Sequence, residues 1–368
     1  MISEFEQKQI AKKIREIRAE RYACQSVARK ALPKERIVHC LRTVAKKDVE
    51  VWKHRKSKKS FYAGLIVCGS VWTCPVCAAK ISERRRAEVK QAIEMHQEKG
   101  GSVALLTLTF SHKKTDRLKD TIHKFGQATQ RFMSGGAYND IRKKLGLIGR
   151  IRAFEVTYGI NGFHPHAHIA LFYNKKVDLE EIKELMYPLY ERACQAFGLN
   201  TSSEYGMDLQ EGDKVDKYLS KYGKWGLDQE MTKSHIKKSR DGLSPFDFLR
   251  KYLEEEDEKY IKLFKEYAEC FKGKRQLQWS QGLKKQFIVE EKSDEQLAIE
   301  KREEADLLGL LDYEFWKKIL RYDERSKFLD LCEKEGFEKA VSSTNESIDR
   351  FEKKKRQVPA KNLPVKKI

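Results

Sequence analysis

Phe163-His164-Pro165-His166-Ala167-His168-Ile169-Ala170-Leu171-Phe172 carries two signals at once. Its apolar tail and β-branched Ile169 read as a buried strand. Side chains alternate across a strand, so His164, His166 and His168 share one face. Three imidazoles side by side suit a divalent cation better than a core, because imidazole binds borderline metals and its second ring nitrogen needs a partner of its own. The plainer alternative is a polar strand face with histidines in ordinary hydrogen bonds. Pro165 cannot donate to a strand ladder. That places Pro165 at the start of the strand, His164 at the rim, and His166 and His168 as the ligands.

Upstream, Ile151-Arg152-Ala153-Phe154-Glu155-Val156-Thr157-Tyr158 reads as a partner strand, and Gly159-Ile160-Asn161-Gly162 as the turn of a β-hairpin. The hairpin brings Glu155 beside His166. Two histidines and one carboxylate, with positions left for water or phosphate, form a catalytic rather than a structural metal set. Val103-Ala104-Leu105-Leu106-Thr107-Leu108-Thr109-Phe110 is apolar almost throughout and reads as a central strand. Residues 116–145 are helical with a break at Ser134-Gly135-Gly136. A helix over 178–198 is capped by Asp178 and stopped by Gly198. A short strand follows around Tyr205–Leu209.

Nearer the N-terminus, Cys74-Pro75-Val76-Cys77 has the C-x₂-C spacing that lets two thiolates reach one tetrahedral ion. Cys68 stands close by and Cys40 is the best remaining ligand, with His39 or His54 as substitutes. A structural zinc is the reading; free thiols are the alternative. No thioredoxin-like βαβ pattern supports a redox role. Residues 78–99 form a basic helix that includes Arg84 and Arg85 and stops at Gly100-Gly101.

A second chemical stretch is Val215-Asp216-Lys217-Tyr218-Leu219-Ser220-Lys221-Tyr222-Gly223-Lys224-Trp225. On a helix Tyr218, Lys221 and Tyr222 share one face. A phenol is a poor nucleophile at its free pKa of about 10, and a nearby cation favours attack by the phenolate. Taken alone, the same pattern fits an amphipathic helix that buries two tyrosines.

The composition narrows the partner. The chain has 368 residues, 40% of them hydrophobic, and a formal charge of +20. Length and apolar content exclude a disordered chain and allow two or three domains. The charge favours a polyanion, with nucleic acid ahead of an anionic membrane surface. Lys53-His54-Arg55-Lys56-Ser57-Lys58-Lys59 is either a solvated loop or a phosphate-contacting segment. Lys53, Arg55, Lys56, Arg84, Arg85 and Lys224 are the expected DNA contacts. No run of about 18 apolar residues is present, so no membrane span is expected. Met1-Ile2-Ser3-Glu4-Phe5 lacks the layout of a signal peptide. The eight cysteines are then thiols or metal ligands in a cytoplasmic protein. Residues 290–350 read as charged helix, and the tail from Lys353 as disordered and basic. Neither a nucleotide-binding P-loop nor a convincing helix-turn-helix is present.

The ordered motifs resemble those of plasmid rolling-circle replication initiators, members of the HUH endonuclease superfamily. His166-Ala167-His168 is similar to the family's metal motif, Tyr218-Leu219-Ser220-Lys221 to its nucleophile helix, and Leu106-Thr107-Leu108-Thr109 to the strand motif that precedes them. Residues 68–77 and Gly273-Lys274-Arg275-Gln276-Leu277-Gln278-Trp279-Ser280 resemble segments of one large plasmid subfamily. The resemblance spans roughly residues 36–288.

It implies an α+β fold: a five-stranded antiparallel sheet flanked by helices, related to ferredoxin-like and RNA-recognition folds. A zinc-knuckle-like N-terminal segment and a helical C-terminal region would complete it. The division would be residues 1–99, an endonuclease core at 100–228, a helical region at 229–350 and a tail at 351–368. The implied chemistry is nicking of single-stranded origin DNA by Tyr218. Mn²⁺ or Mg²⁺ would sit on His166, His168 and Glu155, and Lys221 would hold the phosphate. The resemblance further implies a 5′-phosphotyrosyl link, a 3′-OH that primes a host DNA polymerase, and a host helicase as partner. Tyr222 is the expected second nucleophile. Lys214 stands where some relatives carry a water-activating Glu, leaving Asp213 and Asp216 as substitutes. Two other readings compete: a relaxase or single-strand transposase with the same chemistry, and a non-catalytic zinc-containing DNA-binding regulator.

Overall fold

The structure is a computed structural model that describes residues 4–211, 242–299 and 302–357. In chain order it gives α1 (Glu4–Ala31), β1 (Val49–His54), β2 (Ser60–Ala63), α2 (Pro75–Glu98), β3 (Ser102–Leu108), α3 (Leu118–Phe132), α4 (Gly136–Leu145), β4 (Leu147–Gly159), β5 (Gly162–Tyr173), α5 (Leu179–Ala196) and β6 (Met207–Glu211). After residue 241 come α6 (Pro245–Glu255), α7 (Glu258–Phe271), β7 (Leu277–Trp279), α8 (Leu283–Gln286), α9 (Asp294–Ala298), β8 (Ala305–Leu311), α10 (Tyr313–Arg321), α11 (Arg325–Glu335) and α12 (Phe337–Gln357). The fold is α+β.

Two compact units divide the described chain. One runs from Gly69 to Leu297; the other joins the residues up to Cys68 with those from Ala298 onward.

The Gly69–Leu297 unit holds a five-stranded antiparallel sheet in the order β6-β3-β5-β4-β7. β5 is central, as its apolar run requires. Its odd-numbered residues Ala167, Ile169, Leu171 and Tyr173 pack with Phe125, Phe132, Ile182, Met186 and Tyr190 of α3 and α5. Its even-numbered residues Ala170 and Phe172 pack with Val89, Ala92 and Ile93 of α2 and with Phe287. Each fully buried large apolar side chain contributes about 1.5–3 kcal/mol, so both helical layers are held firmly. Pro188 lies inside α5 without ending it.

The β4–β5 hairpin turns through Ile160 and Asn161, closed by the Gly159–Gly162 pair. Gly162 has φ +84°, a conformation L side chains rarely adopt, and the backbone of Lys114 lies 3.1 Å from where a Cβ would stand. The ladder extends to Gly162, so Pro165 is not at the strand's start but opposite Val156, well inside it. It is tolerated there because β3 has already ended, at Leu108 opposite Ala167, leaving that flank of β5 open.

The other unit holds a three-stranded sheet, β2-β1-β8. β8 is a strand within the stretch 290–350 that the sequence reads as charged helix, and the rest of that stretch is largely helical: Leu311 pairs with Val49 and Ala305 with His54. A strand completed by a partner some 250 residues away leaves no local signal. The expected basic run Lys53–Lys59 forms the end of β1 and its turn into β2. α12 runs through Gln357, past Lys353 where the sequence placed a disordered tail; Glu, Lys and Arg are adequate helix formers.

Candidate active site

Along the even-numbered face of β5, the apolar pair Ala170 and Phe172 gives way to His168, His166 and His164. Glu155 pairs directly with His166, and Ala153 with His168, so the carboxylate emerges on the same face as the rings. His166 Nε2 and His168 Nε2 lie 3.1 and 3.2 Å from Glu155 Oε2. One ligand atom from each of the three residues lies within 4.8 Å of the others.

The remaining ring nitrogens are tied down. His166 Nδ1 is 3.1 Å from the His164 carbonyl, and His168 Nδ1 is 3.0 Å from Thr107 Oγ1. With a cation in place of the protons that face Glu155, a proton on Nδ1 in each ring would leave both Nε2 lone pairs turned into the site, the arrangement in which histidines bind a metal. Burial alone would raise the Glu155 carboxyl; the imidazoles of His166 and His168 outweigh it and hold the group well below the usual carboxylate range. A negative group held ionised beside two nitrogen donors fits a hard-to-borderline divalent cation.

His164 stands apart. Its Nε2 contacts Thr109 Oγ1 and its ring stacks on His112 at 4.7 Å. Burial, then the neighbouring His166 and His112, push it down to about 4, with Glu155 opposing. Its ring is therefore neutral at neutral pH.

Three neighbours escaped the sequence reading in this role. Thr107 and Thr109 sit two apart on the extended backbone at the end of β3, and their spacing against the histidines was available as a signal. Tyr267 had none. It is fully buried on α7, its hydroxyl has no hydrogen-bond partner among the described residues, and burial first and the Glu155 charge second push it well above the ordinary phenol value. Its ring is packed by Trp72 and Phe271.

Cys40, Cys68, Cys74 and Cys77 are all buried, with their sulfurs within 4.8 Å of one another. A tetrahedral zinc–thiolate site needs sulfurs about 3.8 Å apart, so this donor set fits a zinc ion with little adjustment. Cys74 is the N-cap of α2 and Cys77 lies in its first turn, where the helix terminus favours thiolates. The substitutes are engaged elsewhere: His39 Nδ1 is 3.1 Å from Thr43 Oγ1, and His54 packs on Phe61. None of the eight cysteines forms a disulfide.

Of the basic residues expected at DNA, Lys53 donates to the Glu333 carbonyl and Arg55 pairs with Asp306 at 2.7 Å. Arg84 donates to the Leu297 carbonyl at 2.6 Å and Arg85 pairs with Asp294. Lys56 is exposed in the β1–β2 turn. Tyr218, Lys221, Tyr222 and Lys224, like Asp213, Lys214 and Asp216, lie outside the described residues. No helix among the described residues is long and apolar enough to cross a membrane.

Residues 62–185, which include Glu155, His166 and His168, match a family model described as "Replication protein". A protein of Streptomyces lividans named "Protein rep" is 33% identical over 159 residues, covering 36% of this chain and 35% of the relative. A Streptomyces cyanogenus protein named "Neomycin resistance protein" is 34% identical over 130 residues, 28% of this chain and 30% of its own length. A "Protein rep" of Lentilactobacillus hilgardii is 32% identical over 102 residues, 27% and 31% of the two chains. The matches span about a third of each curated relative. No solved structure matches significantly. These findings support the resemblance to plasmid rolling-circle replication initiators.

Proposed function

We propose that this chain initiates rolling-circle replication by cutting and rejoining one strand of origin DNA. The observation that carries the reading is the convergence of Glu155, His166 and His168, with both Nδ1 atoms turned away and both Nε2 atoms turned in. Mn²⁺ or Mg²⁺ held by these three residues would polarise the scissile phosphate and offset charge growing on its oxygens. Glu155, His166 and His168 would hold that ion; Thr107 and the His164 carbonyl keep the rings oriented. The Tyr218 oxygen attacks phosphorus, forming a 5′-phosphotyrosyl bond. The P–O3′ bond breaks, and the departing oxygen gains a proton as the Tyr218 phenol loses one, which leaves the 3′-OH. Lys221 steadies the phosphate and Tyr222 serves the second transfer.

Chain geometry is compatible with this. β6 leaves the sheet at Glu211, which pairs with Ala104. Strand spacings put that point about 14 Å from His168, and the seven residues on to Tyr218 can span about 25 Å. The four cysteines would hold a structural zinc, and the excess of positive charge would draw the DNA in.

The test is incubation with single-stranded origin-like oligonucleotides and Mn²⁺ or Mg²⁺, read as a covalent adduct on denaturing gels. An adduct is expected for the native chain and none for Tyr218→Phe. An adduct that survives in Tyr218→Phe and vanishes in Tyr222→Phe reverses the two tyrosines. Tight duplex binding with no adduct under either metal would favour a non-catalytic regulator.

A further inference from the structure

In the unit built from the two ends of the chain, Arg325 is buried, its side chain 1% exposed. Its guanidinium donates to Gln25 Oε1 at 2.9 Å and Ser26 Oγ at 3.3 Å, and lies over the Tyr22 ring at 4.5 Å. Its Nε has no hydrogen-bond partner among the described residues. All three contacts come from α1, and Arg29 follows one turn later on that helix, on the side of Gln25 and Ser26. Arg42 approaches from the loop before β1, its carbonyl pinned by Trp316 Nε1 at 2.8 Å.

Arg29 and Arg42 are half-buried, and neither donates a side-chain hydrogen bond or makes an ion pair among the described residues. The charges of Arg29 and Arg325 both act on Arg42. Asp323 is the acidic group that acts on both Arg29 and Arg42. It reaches Arg325 at 3.5 Å but is itself 54% exposed. Three positive groups against one negative leave +2. Arg325 has its acceptors within the protein, whereas Arg29 and Arg42 keep part of their surface open and have no acceptor among the described residues, so an added anion can reach them without displacing a partner.

We propose that Arg29 and Arg42, with the charge of the buried Arg325 behind them, form an anion site that takes a phosphate group, supplied either by the backbone of bound DNA or by free phosphate. Guanidinium forks match tetrahedral oxyanions through paired N–H···O bonds. The charge left over by Asp323 equals that of one free phosphate dianion or of two backbone phosphodiesters. This site is separate from the metal-ligand set and does not rest on the nicking reading.

The test uses the full chain with Arg29→Gln and Arg42→Gln, leaving the buried Arg325 alone. Melting is followed in chloride and in inorganic phosphate at equal ionic strength, and affinity for a single-stranded oligonucleotide is measured across salt concentrations. Inorganic phosphate at ten times its Kd should raise the native Tm by about 2–4 °C and leave both variants unmoved. In chloride both variants should melt at or above the native temperature, since each removes a repelled charge. If DNA is the source, each variant also loses about one unit of slope in log affinity against log salt; if free phosphate is the source, the slope stays. Two results overturn the site: no phosphate response in the native chain together with unchanged slopes, or variants that lose several degrees in chloride. The second would make the arginines structural, whether they support α1 or the nearby cysteine group.

Discussion

β5 presents two different chemistries along a single face. At one end Ala170 and Phe172 are sealed under α2, where the His96 ring meets Phe172 at 5.3 Å and His96 Nε2 contacts the Tyr173 carbonyl at 2.9 Å. At the other end His166 and Glu155 remain partly open, with side-chain exposures of 14% and 22%. Backbone and register are continuous between them. The contrast teaches that the sheet is a rigid mount: one end is anchored by packing so that the other can hold polar groups in fixed directions while staying partly open.

Breaking the polar end should cost the most activity and the least stability. His168→Ala or Glu155→Ala is expected to slow adduct formation at least about 10³-fold while moving Tm by no more than about 2 °C. A variant that unfolds instead would show the polar end to be part of the anchor. Breaking the apolar end should do the reverse. Phe172→Ala is expected to cost about 3–5 kcal/mol in urea unfolding, with the adduct rate per folded molecule within about threefold of native.

Two milder changes sharpen the boundary. Thr107→Val removes the partner of His168 Nδ1 and should weaken Mn²⁺ binding about 10-fold, measured by titration, with little change in stability. Tyr267→Phe removes a buried hydroxyl with no hydrogen-bond partner among the described residues, so stability should stay level or rise by about 1 kcal/mol. A fall in metal affinity there would place that hydroxyl in the service of the site.

Much of this contrast is legible in the chain. The alternation of His164, His166 and His168 followed by Ile169–Phe172 encodes both a strand and its polar end, and the Gly159–Gly162 turn fixes Glu155 opposite His166. Local periodicity and a two-residue turn suffice for that. Pro165 misled because its tolerance depends on where a different strand, β3, stops. β8 was missed because its pairing with β1 is set by residues far away in sequence. The same holds for Tyr267 at Glu155 and for Arg29, Arg42 and Arg325: only the folded chain collects them.

The most direct test of the central claim is a Mn²⁺ titration followed by the EPR signal of the free ion. The native chain should remove one equivalent of Mn²⁺ from solution, and His166→Ala, His168→Ala and Glu155→Ala should each abolish that uptake while Tyr218→Phe keeps it. Uptake that is unchanged when all three ligands are replaced would contradict the account.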